Sequence, residues 1–441
     1  MRARARSAIL VAGRALAALP LAALPLAGED VPLAITNARV VPVSGPVIES
    51  GTVVVSQGRI AAVGRDVVVP PGATVVDGSG KSLYPGLFDA LTSLGLVEVA
   101  SVAATVDTTE VGEVNPHARA WVALHPDSEL VPVARANGVT TVLSAPSGGL
   151  VSGQSAVVRL AGTTPEAMTI RAPAALHLVY PSGRPDRELP RPSEEPEPKT
   201  LEKRLEEKKK NQQKALARLA ALFAEAKAHA AAVAEAGRGT RSLPETSLAL
   251  EALAPFVRGE APVVVRADDE DDIRGAVRLA SEQGLRLVIA GGLEAWRCAS
   301  LLKEKDVAVL LKVQRLPARE SDPYDAPYAN AAVLHRAGVR FAIVTDDAEN
   351  VRNLPSEAAM AAAYGLPADE ALRAITLSPA EILGVADRVG AIAPGRHATL
   401  VLADGDILDT RTRLTHVLVD GVPQSLETRH TRLYDRYKDR P

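Results

Sequence analysis

The sequence predicts an α/β protein in which a parallel sheet, doubly wound or closed into a barrel, is inserted into a small β domain assembled from both ends of the chain. Three observations carry this expectation. Short alternating segments punctuated by Gly and Pro run from Leu33 to Tyr84, and the same style returns between Ala398 and Val419. Between them, apolar strands ending in polar loops alternate with amphipathic helices, and the strand ends at Ala267, Gly291, Val313 and Asp347 are 24, 22 and 34 residues apart. That is the length of a strand–helix unit, and the roughly 310 residues between the β pieces suit eight such units with insertions.

Composition narrows the class further. The 441 residues carry 50 Lys+Arg against 53 Asp+Glu, a formal charge of −3. Hydrophobic residues at 47% and charged residues at 23% exclude wholesale disorder. Aromatics at 3%, with no basic excess, argue against a nucleic-acid groove lined by stacking rings. A single cysteine, Cys298, excludes an internal disulfide framework and a zinc ribbon, and it does not decide the compartment.

Residues 1–27 stand apart. Arg2, Arg4 and Arg6 form a basic start and an Ala/Leu stretch runs from Ala15 to Ala27, the layout of a secretory signal peptide, although Arg14, Pro20 and Pro25 interrupt it. The expectation is an exported protein, periplasmic or extracellular; the alternative is a leader with no address and a cytoplasmic protein. Removal of the leader's four arginines takes the formal charge from −3 to −7. No later run reaches the ~20 apolar residues of a membrane span.

Residues 28–84 then read as the N-terminal part of the β domain, with strands at Ala34–Val40, Gly51–Val55 and Arg59–Val63. The inserted domain spans 85–395, with strands expected at Tyr84–Leu91, Thr140–Ala145, Leu176–Tyr180, Ala261–Ala267, Arg286–Gly291, Ala308–Val313 and Phe341–Asp347. Helices at Asp271–Gln283 and Leu293–Lys305 fill two gaps. A Pro-rich charged linker occupies 181–199 and a long helical insertion 200–237, with Thr200 as N-cap and Gly237 as stop. Its apolar positions Leu216, Leu219, Phe223, Ala226, Ala230 and Val233 form a narrow seam, which suits either a helix packed on the main domain or a dimer arm. Residues 396–427 supply the C-terminal part of the β domain and 428–441 a tail.

Several spaced motifs resemble the amidohydrolase superfamily. Tyr84-Pro85-Gly86-Leu87-Phe88-Asp89-Ala90 follows Asp77-Gly78-Ser79-Gly80-Lys81, as at the start of that family's barrel. Ser378-Pro379-Ala380-Glu381-Ile382-Leu383-Gly384, Ile392-Ala393-Pro394-Gly395-Arg396, Ala398-Thr399-Leu400-Val401 and Val419-Asp420-Gly421 match its C-terminal half. Asn353-Leu354-Pro355, with Leu366-Pro367-Ala368-Asp369-Glu370-Ala371-Leu372, is similar to the imidazolonepropionase-like branch. The resemblance implies a (β/α)8 TIM-type barrel with a composite β-sandwich domain, a site at the C-terminal ends of the strands, and hydrolysis of carbon–nitrogen bonds other than peptide bonds.

The same resemblance implies metal ligands: His-x-His on the first strand, one His each on the fifth and sixth, and Asp on the eighth, activating a water. Here Leu91 and Ser93 stand at the first-strand positions, Arg266 and Asp268 at the fifth, and Gly291 at the sixth; Asp346 alone remains. No cofactor is therefore expected. An oxygen site for a divalent metal built from Asp268, Asp346 and Asp347 is the alternative, and it requires Arg266 to turn away.

The candidate chemistry rests on Asp346 as base and Arg266 as electrophile, or on the two as a structural ion pair. Asp268 is open to the mouth or caps the helix near Asp271. The loop Ser147–Ser155 offers Gly149 as a site wall and Gln154 as the side chain nearest a ligand. Ser93 lies in a weak nucleophile-elbow pattern that has Leu91 where Gly is needed. The expected partner is a small molecule, with homo-oligomerisation open. The function is an amidohydrolase-like hydrolase with a degenerate metal site, or a metal-free pseudoenzyme binding a small molecule or partner.

Overall fold

The computed structural model describes residues 31–183, 201–239 and 242–440. The signal-peptide expectation and most of the Pro-rich linker lie outside the described residues. Two eight-stranded sheets organise the chain. The first joins β1 (Leu33–Val40), β2 (Ile48–Ser56), β3 (Arg59–Gly64), β4 (Thr74–Asp77) and β5 (Ser82–Pro85) to strands from the far end of the sequence. The second holds β6 (Leu87–Thr92), β7 (Val139–Ser144), β8 (Val151–Arg159), β9 (Thr169–Val179), β10 (Val263–Ala267), β11 (Leu287–Gly291), β12 (Ala308–Leu311) and β13 (Phe341–Ile343), in that spatial order. The chain then returns to the first sheet with β14 (Leu400–Ala403), β15 (Leu414–Val419) and β16 (Val422–Gln424). In that sheet β14 pairs antiparallel with β5.

The composite unit is thus one mixed sheet whose N- and C-terminal strands share a small core of Ile35, Val53, Ile60, Leu83, Leu400 and Leu418. The strand expected at Tyr84–Leu91 divides between the two sheets. Tyr84 and Pro85 pair with β14, and Leu87 onward enters the barrel. Gly86 makes the crossing, where a Cβ would lie 2.1 Å from Thr140 Oγ1, so no other residue fits.

The second sheet is a near-closed barrel. Strands covered on both faces read as apolar runs, unbroken in β11 and interrupted in β10 only by Arg266 near its end, and this makes the strand ends at Ala267 and Gly291 legible. Alternate residues such as Val264, Val288, Leu310 and Val344 fill the interior. Val263, Ile289, Val309 and Ile343 pack beneath the helices.

One strand departs from a TIM-type barrel. β8 runs antiparallel to both β7 and β9. The segment read as the glycine loop Ser147–Ser155 is therefore half strand. Only six residues separate β7 from β8, while a parallel crossover needs about a dozen or more. The chain has to turn back as a hairpin.

The long helix runs from Leu201 to Gly237, and its side chains Leu219, Phe223 and Ala226 are buried in the main core beside the helix Leu248–Val257. Burying a Leu or Phe of this kind stabilises by roughly 1.5–3 kcal/mol. The seam opens toward the helix end, where Val233 is exposed. Residues 429–437, expected as tail, form a short helix.

Candidate functional site

The C-terminal ends of β10, β12 and β13 bring four charged side chains into a row. Arg266 projects from β10, and Asp346 follows β13 in the left-handed backbone region at φ +51°. The Asp346 amide donates to Leu91 O at 3.0 Å, which ties the end of β13 to β6 and fixes the carboxylate over the mouth. Both Arg266 Nη atoms donate to it, to Oδ2 at 2.6 Å and Oδ1 at 2.8 Å. The hydrogen bonds and charge of Asp346, together with the charge of Asp268, hold the guanidinium pKa above its usual value against the effect of burial.

Asp268, just past β10, is gripped in the same way by Arg315, at 2.5 and 2.8 Å. Arg315 sits on the loop after β12, whose base is fixed by the amides of Val313 and Gln314 donating to the buried Glu357 carboxylate. Signs therefore alternate across the mouth in the order Asp346, Arg266, Asp268, Arg315. These side chains are 24–39% exposed, so water still screens them. A bidentate pair in such a setting is worth on the order of 1 kcal/mol net.

Two further polar pairs lie close to this row. Asp89, fully buried on β6, accepts hydrogen bonds from the Thr345 amide and hydroxyl and from the Leu91 amide. Loss of hydration pushes its carboxyl up to about 7. On the facing strands, His177 Nε2 and Ser155 Oγ share a hydrogen bond of 2.8 Å. Burial, reinforced by the charge of Arg266, pushes the His177 imidazole down to about 3, so it is neutral at physiological pH.

A family model described as "Amidohydrolase family" matches residues 299–426. The crystal structure of an amidohydrolase from Thermotoga maritima MSB8 is 28% identical and superimposes with a TM-score of 0.76, covering 89% of this chain and 99% of that one. The chain belongs to the amidohydrolase superfamily. A curated relative, Amidohydrolase tasK of Hapsidospora irregularis, is 24% identical over 396 residues, or 85% of this chain, and the chain spans 40% of that relative's length. A solved molinate hydrolase shares the fold at 16% identity and a TM-score of 0.54, over 90% of this chain and 96% of that one.

Within this amidohydrolase barrel, the structure brings Arg266 and Asp346 together and disperses most of the other expected site residues. Asp268 joins the row through Arg315 and does not cap the following helix. The cap position is Asp269, and Glu294 takes the amide of Glu270 at 2.8 Å. Asp347 uses Oδ1 to accept the amides of Glu349 and Asn350, holding a turn. Gln154 lies on β8, buried, and its amide donates to the carbonyls of Pro116 and Ala252 at 3.0 and 3.1 Å. It braces a loop against a helix and is not placed to meet a ligand, which corrects its reading as a ligand contact.

Ser93 is half-buried just past β6, beside the buried Leu91. Gly149 lines a groove of 540 Å3 with Lys214 and Arg218 of the long helix, away from the charged row. Gly291 has φ +92°, and a Cβ there would lie 2.4 Å from Asp268 Oδ1. Cys298 is buried and its thiol is pushed up to about 11 by burial, as suits a core residue. Among the described residues, no three His, Cys, Asp or Glu side chains cluster so as to hold a metal ion.

Sequence reasoning missed Arg315 and the His177–Ser155 pair. Arg315 carries no pattern and lies 47 residues from its partner. The pair depends on the reversed β8, which puts Ser155 opposite the strand of His177.

Proposed function

We propose that this chain is an amidohydrolase-superfamily barrel with a degenerate metal site, whose mouth binds a small molecule without the metal-activated water of that family. The observation that carries the reading is the Arg266–Asp346 pair: the one remaining acidic ligand position has both oxygens occupied by a guanidinium. The donor chemistry does not fit a divalent ion. Leu91 offers no donor atom, and the guanidinium of Arg266 brings positive charge and hydrogen-bond donors only. An imidazole at 291 would start from a Cβ that collides with Asp268.

What the residues present can do is bind. Arg266 is a half-exposed fork for a carboxylate or carbonyl oxygen, and such an oxygen would compete with Asp346 for it. Arg315 supplies further polarity, and the buried Asp89 fixes the β6 end through Thr345 and Leu91.

A second reading, hydrolysis of a cyclic amide with Arg266 as electrophile and Asp346 as base, is favoured by the likeness to the Thermotoga maritima amidohydrolase. Purified protein, with and without added Zn2+ and Mn2+, is assayed against cyclic amides and amidines, and its thermal midpoint is screened against small carboxylates. Binding without catalysis predicts a ligand shift that Arg266→Ala removes, and no turnover above that variant. Turnover abolished by Asp346→Asn overturns it in favour of the hydrolase.

A further inference from the structure

The helix Arg429–Tyr437 is joined to the body by its first turn and exposes almost everything else. Thr428 caps it in a reciprocal capping box with Thr431, and Arg432 reaches back to both carboxylate oxygens of Glu129 at 2.7 and 2.9 Å. From His430 to Arg440 every side chain is exposed. Leu433, Tyr434 and Tyr437 are exposed at 48, 68 and 37%, although burial is the usual use of apolar side chains at this spacing.

The helical period orders these side chains. With 3.6 residues per turn, successive residues are about 100° apart. Taking Arg432 as the side held against the body, Leu433, Tyr434 and Tyr437 all fall on the opposite side, while His430 borders a groove that Arg352 and Leu408 of the body also line. Arg429 and Arg440 flank this outward face on one edge and Lys438 on the other. The acidic residues Asp435 and Asp439 fall toward the body, and Asp435 accepts from Lys438 Nζ at 3.0 Å. Cations also lie against the aromatic rings: Arg440 is 4.1 Å and Arg436 5.4 Å from the centre of Tyr437, and Lys438 is 5.9 Å from that of Tyr434.

Residues 429–440 hold five Lys or Arg against two Asp, in a chain whose overall charge is −3. An apolar strip edged by cations, facing away from the protein with its acids behind it, is complementary to a layer that is apolar inside and anionic at its surface. We propose that this helix docks the protein on the surface of an anionic phospholipid bilayer, lying in the interface with Leu433, Tyr434 and Tyr437 among the headgroups. Among the described residues no helix is long and apolar enough to cross a membrane.

The test is flotation of the full chain with vesicles of phosphatidylcholine alone and with a third phosphatidylglycerol, at low and high salt. Binding is expected to the anionic vesicles only, to fall steeply with salt, and to weaken at least tenfold in Arg429→Glu/Arg440→Glu. Leu433→Asp/Tyr437→Asp should also abolish it. Since these side chains touch no core, an unchanged thermal midpoint in both variants shows that loss of binding is not loss of fold. Absence of binding to anionic vesicles at low salt, or binding retained in both variants, overturns the proposal. So does a concentration-dependent self-association that the same substitutions remove, because the face then belongs to a second copy of the chain.

Discussion

Arg266→Ala removes the central member of the charged row. It leaves Asp346, only 24% exposed on its side chain, with two oxygens that no longer accept from Arg266, and it takes from Asp268 a cation that now offsets its charge. Exposed ion pairs are worth about 0.2–1 kcal/mol, whereas stripping one partner from a buried pair costs about 3–5 kcal/mol. At the intermediate exposure of this pair we expect a loss of roughly 1–3 kcal/mol. Because each kcal/mol shifts the midpoint of a large domain by ~2–4 °C, the thermal midpoint should fall by several degrees.

Arg266→Lys should recover part of the loss, since a single ammonium replaces the charge but not the two-pronged bond. The decisive assay is a double-mutant cycle in urea with Asp346→Ala, whose coupling should exceed 1 kcal/mol. Additivity within about 0.5 kcal/mol would show that the pair is not an energetic unit, because residues that do not interact add to that tolerance.

Other expectations follow from single observations. Gly291→Ala should cost about 1–3 kcal/mol in a denaturation experiment, since the new Cβ meets Asp268 and the backbone is left-handed. Burial pushes the Asp89 carboxyl up to about 7 in the fold from an ordinary value of 3.8, so its contribution is full below about 4 and lost as pH rises through about 7. Urea midpoints measured from pH 4 to 8 should show this decline in the native chain, by a few kcal/mol at most at about 1.4 kcal/mol per unit, and a flatter profile in Asp89→Asn. Phe223→Ala should cost about 3–5 kcal/mol in the same assay, while Val233→Ala on the exposed end of the long helix should cost under about 0.5 kcal/mol.

The barrel and composite sheet were legible in the sequence because their signals are local and repeated. Buried parallel strands such as Leu287–Gly291 read as unbroken apolar runs, and Gly86 and the Asp420-Gly421 turn mark where the chain changes direction. β8 was not legible, because Ser152, Gly153, Gln154, Ser155 and Ala156 have small or polar side chains that look like a loop although all are buried. Only the short connection from β7 reveals the reversal. In the site, Arg266 and Asp346 could be paired in advance because each ends a recognisable strand. Arg315 could not, since it reaches Asp268 from an irregular loop whose path depends on Glu357. Asp89 stands inside the Tyr84–Ala90 motif, but its burial depends on β13 closing against β6, a contact between residues more than 250 positions apart.

We propose that the guanidinium–carboxylate row of Arg266, Asp346, Asp268 and Arg315 takes the place of a bound ion. Its most direct test is the metal content of the purified protein by elemental mass spectrometry, after dialysis with and without Zn2+ and Mn2+, beside Arg266→Ala treated in the same way. The native chain should retain no metal under either condition. One or more equivalents retained by the native chain would contradict it and return Asp346 to the role of a ligand.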